Sequence, residues 1–165
     1  MATQLPVRIE FSLPEGWTAA PPDEVGAPGA AFVALHPPAH DGFTTNITIS
    51  GDYRDDAVEL ETVAEESVAR LMKSVGGVRV LTSAAVGAED SPGFTQTVEI
   101  KSTIEGQPHD LVQCQAYLSM HDVDEPAKRA IIDLVLTTTA DRFEEFVKDF
   151  QYFVRSVKPS EHLPR

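Results

Sequence analysis

The chain is poor in cysteine, in basic residues and in long apolar runs, and each shortage closes off a class of function. Its one cysteine, Cys114, permits no intrachain disulfide and no thiolate metal cluster. It falls at an apolar position of a strand pattern, where a thiol serves as a small hydrophobe rather than a nucleophile. Only 13 Lys and Arg stand against 26 Asp and Glu, a formal net charge of −13. Such a surface repels phosphate backbones, which argues against nucleic acid as a partner, and gains nothing at an anionic leaflet. No stretch has the apolar length needed to span a bilayer. Residues 1–8 contain neither a signal-peptide core nor a lipidation cysteine, so the sequence reads as cytoplasmic if Met1 is the native start. The common catalytic and cofactor signatures are also missing: G-x-S-x-G, Walker A, H-E-x-x-H, C-x-x-C and G-x-G-x-x-G. No nucleophile, base and orienting group can be assembled, so the expectation is no enzyme, with no catalytic, cofactor-binding or metal-binding residues.

What is present is a pattern of elements. At 165 residues the chain suits one domain, residues 1–165, with an ordered core over about 7–158. Ile9, Phe11 and Leu13 alternate with polar residues as in a half-buried strand, which Pro14 and Gly16 end. The stretch Ala19 to Gly29 is rich in proline and glycine and reads as a surface loop. A strand follows from Ala31 to Leu35, stopped by Pro37 and Pro38, and another from Phe43 to Ser50 with Phe43, Thr45, Ile47 and Ile49 on one face. From Ala57 to Val75 the period becomes helical, with Leu60, Val63, Ala64, Val68, Leu71, Met72 and Val75 on one stripe.

The second half begins with a strand at Val78 to Leu81 that decays into the turn-rich Gly87 to Gly93. Phe94–Ile104 and Leu111–Met120 form a hairpin across Glu105-Gly106-Gln107-Pro108. A last strand spans Lys128 to Thr138. The final helix begins near Thr139, where Thr138 and Asp141 have capping-box spacing, and its stripe of Phe143, Phe146, Val147, Phe150, Val154 and Val157 reads as core packing.

Polar residues give weak signals. The five histidines, His36, His40, His109, His121 and His162, fall in expected loops, turns or the tail. His36 and His40 flank two prolines without a third ligand at metal spacing. The acidic run His121 to Glu125 lacks the glycine and the last glutamate of a calcium loop. Asp133 interrupts an apolar strand, and period-2 alternation points it outward.

The segments Phe11-Ser12-Leu13-Pro14-Glu15-Gly16-Trp17, Ala31-Phe32-Val33-Ala34 and Asn46-Ile47-Thr48-Ile49-Ser50, with the two helices, resemble the Mog1/PsbP-like superfamily, and within it the actinobacterial LpqN-type proteins. The resemblance runs over about residues 7–158, and its motifs are structural. It implies an α+β fold: a single antiparallel sheet of six or seven strands with helices packed on it, a Mog1/PsbP-like sandwich. It also implies a binding or assembly factor rather than an enzyme. The expected function is a non-enzymatic adaptor for a protein or peptide partner, with Gln113, Gln115, Tyr117 and Ser119 as the partner-binding face of one strand. The alternative is a small-molecule carrier or enzyme with a pocket between helix and sheet. The alternation in the strands is expected to give one greasy face for both helices, with the other face partly polar. The long strands 94–104 and 111–120 carry few charges to blunt edge pairing, so a homodimer is expected.

Overall fold

The computed structural model describes residues 9–25, 29–40, 42–55, 58–75, 77–88, 91–104, 106–121 and 128–159. The acidic segment 122–127, His162 and residues 1–8 lie outside them.

Seven strands form one antiparallel sheet: β2 (Thr18–Ala20), β3 (Phe32–His40), β4 (Phe43–Asp55), β5 (Gly77–Ala88), β6 (Ser91–Ile104), β7 (Gln107–His121) and β8 (Lys128–Thr139), in the order β2-β3-β4-β8-β7-β6-β5. A short ladder pairs β1 (Ile9–Glu10) with β9 (Lys158–Pro159) and so ties the start of the described chain to its end. Helix α1 (Leu60–Ser74) joins β4 to β5 across three intervening strands. Helix α2 (Phe143–Ser156) follows β8 through one 3₁₀ turn, Ala140–Arg142.

The helices do not share a face. On β8, Ile132, Leu134 and Leu136 pack with Ile47, Ile49 and Ala34 against Phe146, Phe150 and Phe153 of α2. The residues between them point the other way, and Ile131 with Tyr117 of β7 packs against Leu60, Val63 and Ala64 of α1. The expectation of one greasy face for both helices is therefore corrected: the sheet is covered on both sides, and β8, its middle strand, carries the nearly unbroken apolar run that double burial demands.

Other expectations shift for local reasons. β3 continues through Pro37-Pro38, where its register with β4 breaks between His36 and His40; an irregular ladder needs no amide hydrogen there, so proline is tolerated. The strand begun at Val78 runs to Ala88, paired with β6 except where the register shifts at Leu81. The hairpin turn is tighter than drawn, with Ile104 opposite Gln107 and Gly106 at φ +81°, a value that favours glycine. Thr138 caps nothing: its hydroxyl bonds that of Thr45 at 2.8 Å, both buried, while Thr139 opens the 3₁₀ turn without a side-chain cap.

Strands 94–104 and 111–120, expected as edges, lie inside the sheet. Its edges are the three-residue β2 and the twelve-residue β5.

Candidate functional site

The face beneath α1 collects the polar chemistry of the molecule. Gln113, Gln115, Tyr117 and Ser119 share it, as the sequence requires of alternate residues on β7, but α1 roofs the last three. Gln115 and Tyr117 are each 1% exposed and Ser119 is buried, while Gln113 is half-buried. The structure spends Gln113, Gln115 and Tyr117, together with Gln96, on one another, while the buried Ser119 hydroxyl takes no part. The Tyr117 hydroxyl donates to Gln115 Oε1 at 2.8 Å, Gln96 donates to the same oxygen at 2.6 Å and to the Ala64 carbonyl at 3.0 Å, and Gln115 donates to Gln113 at 2.8 Å. The network fastens α1 to the sheet through a helix carbonyl. An open partner-binding face made of these four residues is not what the fold presents.

Two clefts flank α1. On the β4 side a pocket of about 230 Å³ is lined by Ser50, Asp52, Arg54, Glu66, Arg70 and Asp133, among others. The ladder explains the grouping. Ser50 faces Asp133 across β4 and β8, Tyr117 faces it across β7, and Arg54 and Asp52 follow Ser50 at alternate positions. Glu66 and Arg70 stand one turn apart on α1. Arg54 clasps Glu66 with two hydrogen bonds, 2.8 and 3.1 Å, which holds the Glu66 carboxyl below its ordinary range. Arg129 donates to the Val58 carbonyl just before the helix.

Asp133 does not point to open solvent, contrary to the reading from alternation alone. Alternation holds, but α1 covers that face. Burial pushes its carboxyl up to about 7; Arg70 opposes the shift, Asp52 adds to it and Arg54 opposes it. Burial likewise drives the Tyr117 hydroxyl up to about 12.

The other cleft, about 360 Å³, runs between α1 and strands β5 and β6 and is lined by Ala64, Val68, Met72, Val80, Ser83 and Phe94, with Glu61 and Glu65 on its rim. Met72 is 60% exposed, and Val80, Leu81 and Val86 each 43%. The helical stripe of the sequence continues through Val68 and Met72, but only Leu60, Val63 and Ala64 are buried. Beside this apolar strip the outer edge of β5 carries a single charged residue, Arg79, held by Glu99 at 3.3 Å.

Two of the remaining singled-out residues pack against the α2 core. His36 sits inside β3, its ring edge-on to Trp17 and Phe146. Cys114 is half-buried against the α2 core and burial raises its thiol pKa. Among the described residues no three His, Cys, Asp or Glu side chains come together as a metal site, and no helix is long and apolar enough to cross a membrane.

No sequence-family model and no curated protein sequence matches the chain. Solved structures do match in fold. LpqN of Mycobacterium tuberculosis, involved in cell envelope biogenesis, superposes with a TM-score of 0.65 at 12% identity, covering 93% of this chain and 86% of its own. The cyanobacterial PsbP of Synechocystis gives 0.58 at 15% identity, covering 92% and 86%. The Ran-binding protein Mog1p of Saccharomyces cerevisiae gives 0.56 at 12%, covering 92% and 89%. The fold is Mog1/PsbP-like.

Proposed function

We propose that the chain is a non-catalytic binding module that takes an extended segment of a protein or peptide partner along β5, with apolar side chains seated in the groove beside Met72. The observation that carries this reading is the edge itself. Twelve residues of strand run unpaired on their outer side among the described residues, with one charge and three exposed aliphatic side chains, next to an apolar groove on α1. A long apolar edge is a template for strand addition, in which ladder hydrogen bonds give affinity and alternate side chains give specificity. Glu61 and Glu65 on the rim favour a segment that mixes apolar with basic residues. The Ran-binding Mog1p with the same fold supports a protein as the ligand class.

The test is affinity co-purification from the native host, wild type against Leu81→Lys with Val86→Lys. Partners retained by the wild type and lost by the variant support the reading. An identical set with both, or none with either, removes it. A homodimer built through β5 would instead appear as a doubled mass in light scattering that the same variant abolishes.

The pocket around Asp133 favours a second reading, a small-molecule carrier with its site between helix and sheet. Native mass spectrometry tests it: a stoichiometric bound metabolite supports it, and a clean apo mass argues against it.

A further inference from the structure

Asp133 is the only charge along Ala130–Leu136, the apolar run of the middle strand of the sheet. A carboxylate placed there costs desolvation free energy that a structural residue normally recovers through an ion pair. Asp133 recovers only part of it, from the through-space attraction of Arg70 and Arg54. Arg70 attracts it through space, yet the two form no ion pair within 4.0 Å, and neither side chain has another hydrogen-bonding partner among the described residues. Arg54 and Glu66 neutralise each other and close one wall. The pocket is left with two carboxylates, Asp133 and Asp52, set against one guanidinium, Arg70, with the Ser50 hydroxyl beside the floor.

We propose that this pocket binds a free α-amino acid, or a zwitterion of that size, with its ammonium on Asp133 and Asp52 and its carboxylate on Arg70. The charge layout excludes simpler ligands. An anion would meet two carboxylates, and a lone amine would leave Arg70 unmatched. A volume of about 230 Å³ lies below the roughly 300–1,000 Å³ of drug-sized sites and suits a molecule of few heavy atoms. The inference rests on the small-molecule reading of this pocket and names its ligand class.

The charged and titratable groups facing Asp133 are Asp52 and Arg54 from β4, Glu66 and Arg70 from α1, and Tyr117 from β7. Asp133 must be ionised to hold an ammonium group. With its carboxyl held up to about 7, binding expels a proton near neutrality, so affinity strengthens as pH rises through that value.

The experiment is calorimetric titration of the full chain with each common L-amino acid, then with the N-acetyl and methyl-ester forms of the best binder. At least one amino acid should bind with a Kd below about 1 mM, and loss of either ligand charge should weaken it about tenfold or more. Asp133→Asn and Arg70→Met should each weaken it to a similar degree. The gain in affinity between about pH 6 and about pH 8 should appear in the wild type and vanish in Asp133→Asn. Arg70 is exposed on the helix, so its variant carries the test if Asp133→Asn does not fold.

Absence of heat with every amino acid at about 10 mM overturns the proposal, as does binding that neither substitution changes. A different metabolite found by native mass spectrometry, with no amino acid binding, removes the zwitterion and leaves the carrier reading; a clean apo mass with no binding removes both.

Discussion

Trp17 donates its indole N–H to the Asp149 carboxylate at 2.9 Å, joining positions 132 residues apart in sequence. The bond fixes the segment after β1 against α2. Phe11 packs edge-on to Phe32 and Phe153, Trp17 does the same to Phe146, and the Ser156 hydroxyl bridges to the backbone of Ser12. The Leu-Pro-Glu-Gly-Trp motif is therefore part of a clasp between the start and the end of the described chain, a packing role that needs no ligand.

Trp17 is the only tryptophan and is 7% exposed, so its fluorescence reports this clasp directly. Trp17→Ala should cost about 3–5 kcal/mol, the usual toll for deleting a buried aromatic. Asp149→Ala should cost about 1 kcal/mol and shift the emission without unfolding the protein. Urea melts followed by fluorescence for Asp149→Ala, and by circular dichroism for Trp17→Ala, give both numbers.

Gly16 sits in the same turn at φ +95°, and a Cβ built there would lie 2.9 Å from His36 Nε2. Gly16→Ala combines a disfavoured backbone region with a clash against a ring packed between Trp17 and Phe146. It should destabilise by about 1–3 kcal/mol. A melt indistinguishable from wild type would show that the turn relaxes freely.

Asp133 links stability to pH. Its carboxyl sits up at about 7 in the folded chain and near 3.9 in an unfolded one. The folded state thus holds a proton that the unfolded state has released. The stability contributed in this way is full below about pH 4 and is lost as pH rises through about 7. Asp133→Asn cannot ionise. Allowing for partial solvent screening, it should be more stable than wild type by about 1–3 kcal/mol at about pH 8 and nearly equal to it at about pH 4. An equal effect at both pH values would contradict the placement of the carboxyl.

Gln115 Oε1 accepts from both Gln96 and Tyr117 in a buried layer. Gln115→Leu removes that acceptor and leaves two buried donors unsatisfied, so it should cost about 2–4 kcal/mol and loosen α1. Amide exchange over residues 60–74 should rise more than over 143–156. Uniform change in both helices would mean that the network does not tie α1 to the sheet.

Much of the fold was legible. The alternation in Phe43–Ser50, the hairpin turn at Gly106 and the phenylalanine stripe at positions 146 and 150 lie where the period of side chains puts them. The two-sided burial was written in the sequence too: Ala130, Ile131 and Ile132, then Leu134, Val135 and Leu136, form a run that one buried face cannot account for. The strand at Val80–Ala88 was harder to see, because small residues such as Ala84 and Ala85 become strand through pairing with β6 rather than by propensity. The site was illegible for a different reason. Asp133 obeys alternation, but no local rule says that a helix arriving from β4 will cover that face. The same helix turned Gln115, Tyr117 and Ser119 from expected surface groups into buried ones.

Leu81 and Val86 are exposed on the sheet edge, away from both cores. Leu81→Lys and Val86→Lys should therefore each change stability by no more than about 0.5 kcal/mol. Thermal melts check this, and a large loss would mean that the edge is packed in the free protein.

Hydrogen–deuterium exchange of a complex with a partner recovered from the native host tests the central claim most directly. Strand addition on β5 should slow exchange across residues 77–88, with weaker slowing on α1 near Met72, and leave β2 and β3 unchanged. Protection confined to other elements, with 77–88 exchanging as in the free chain, would contradict a binding module that works through this edge.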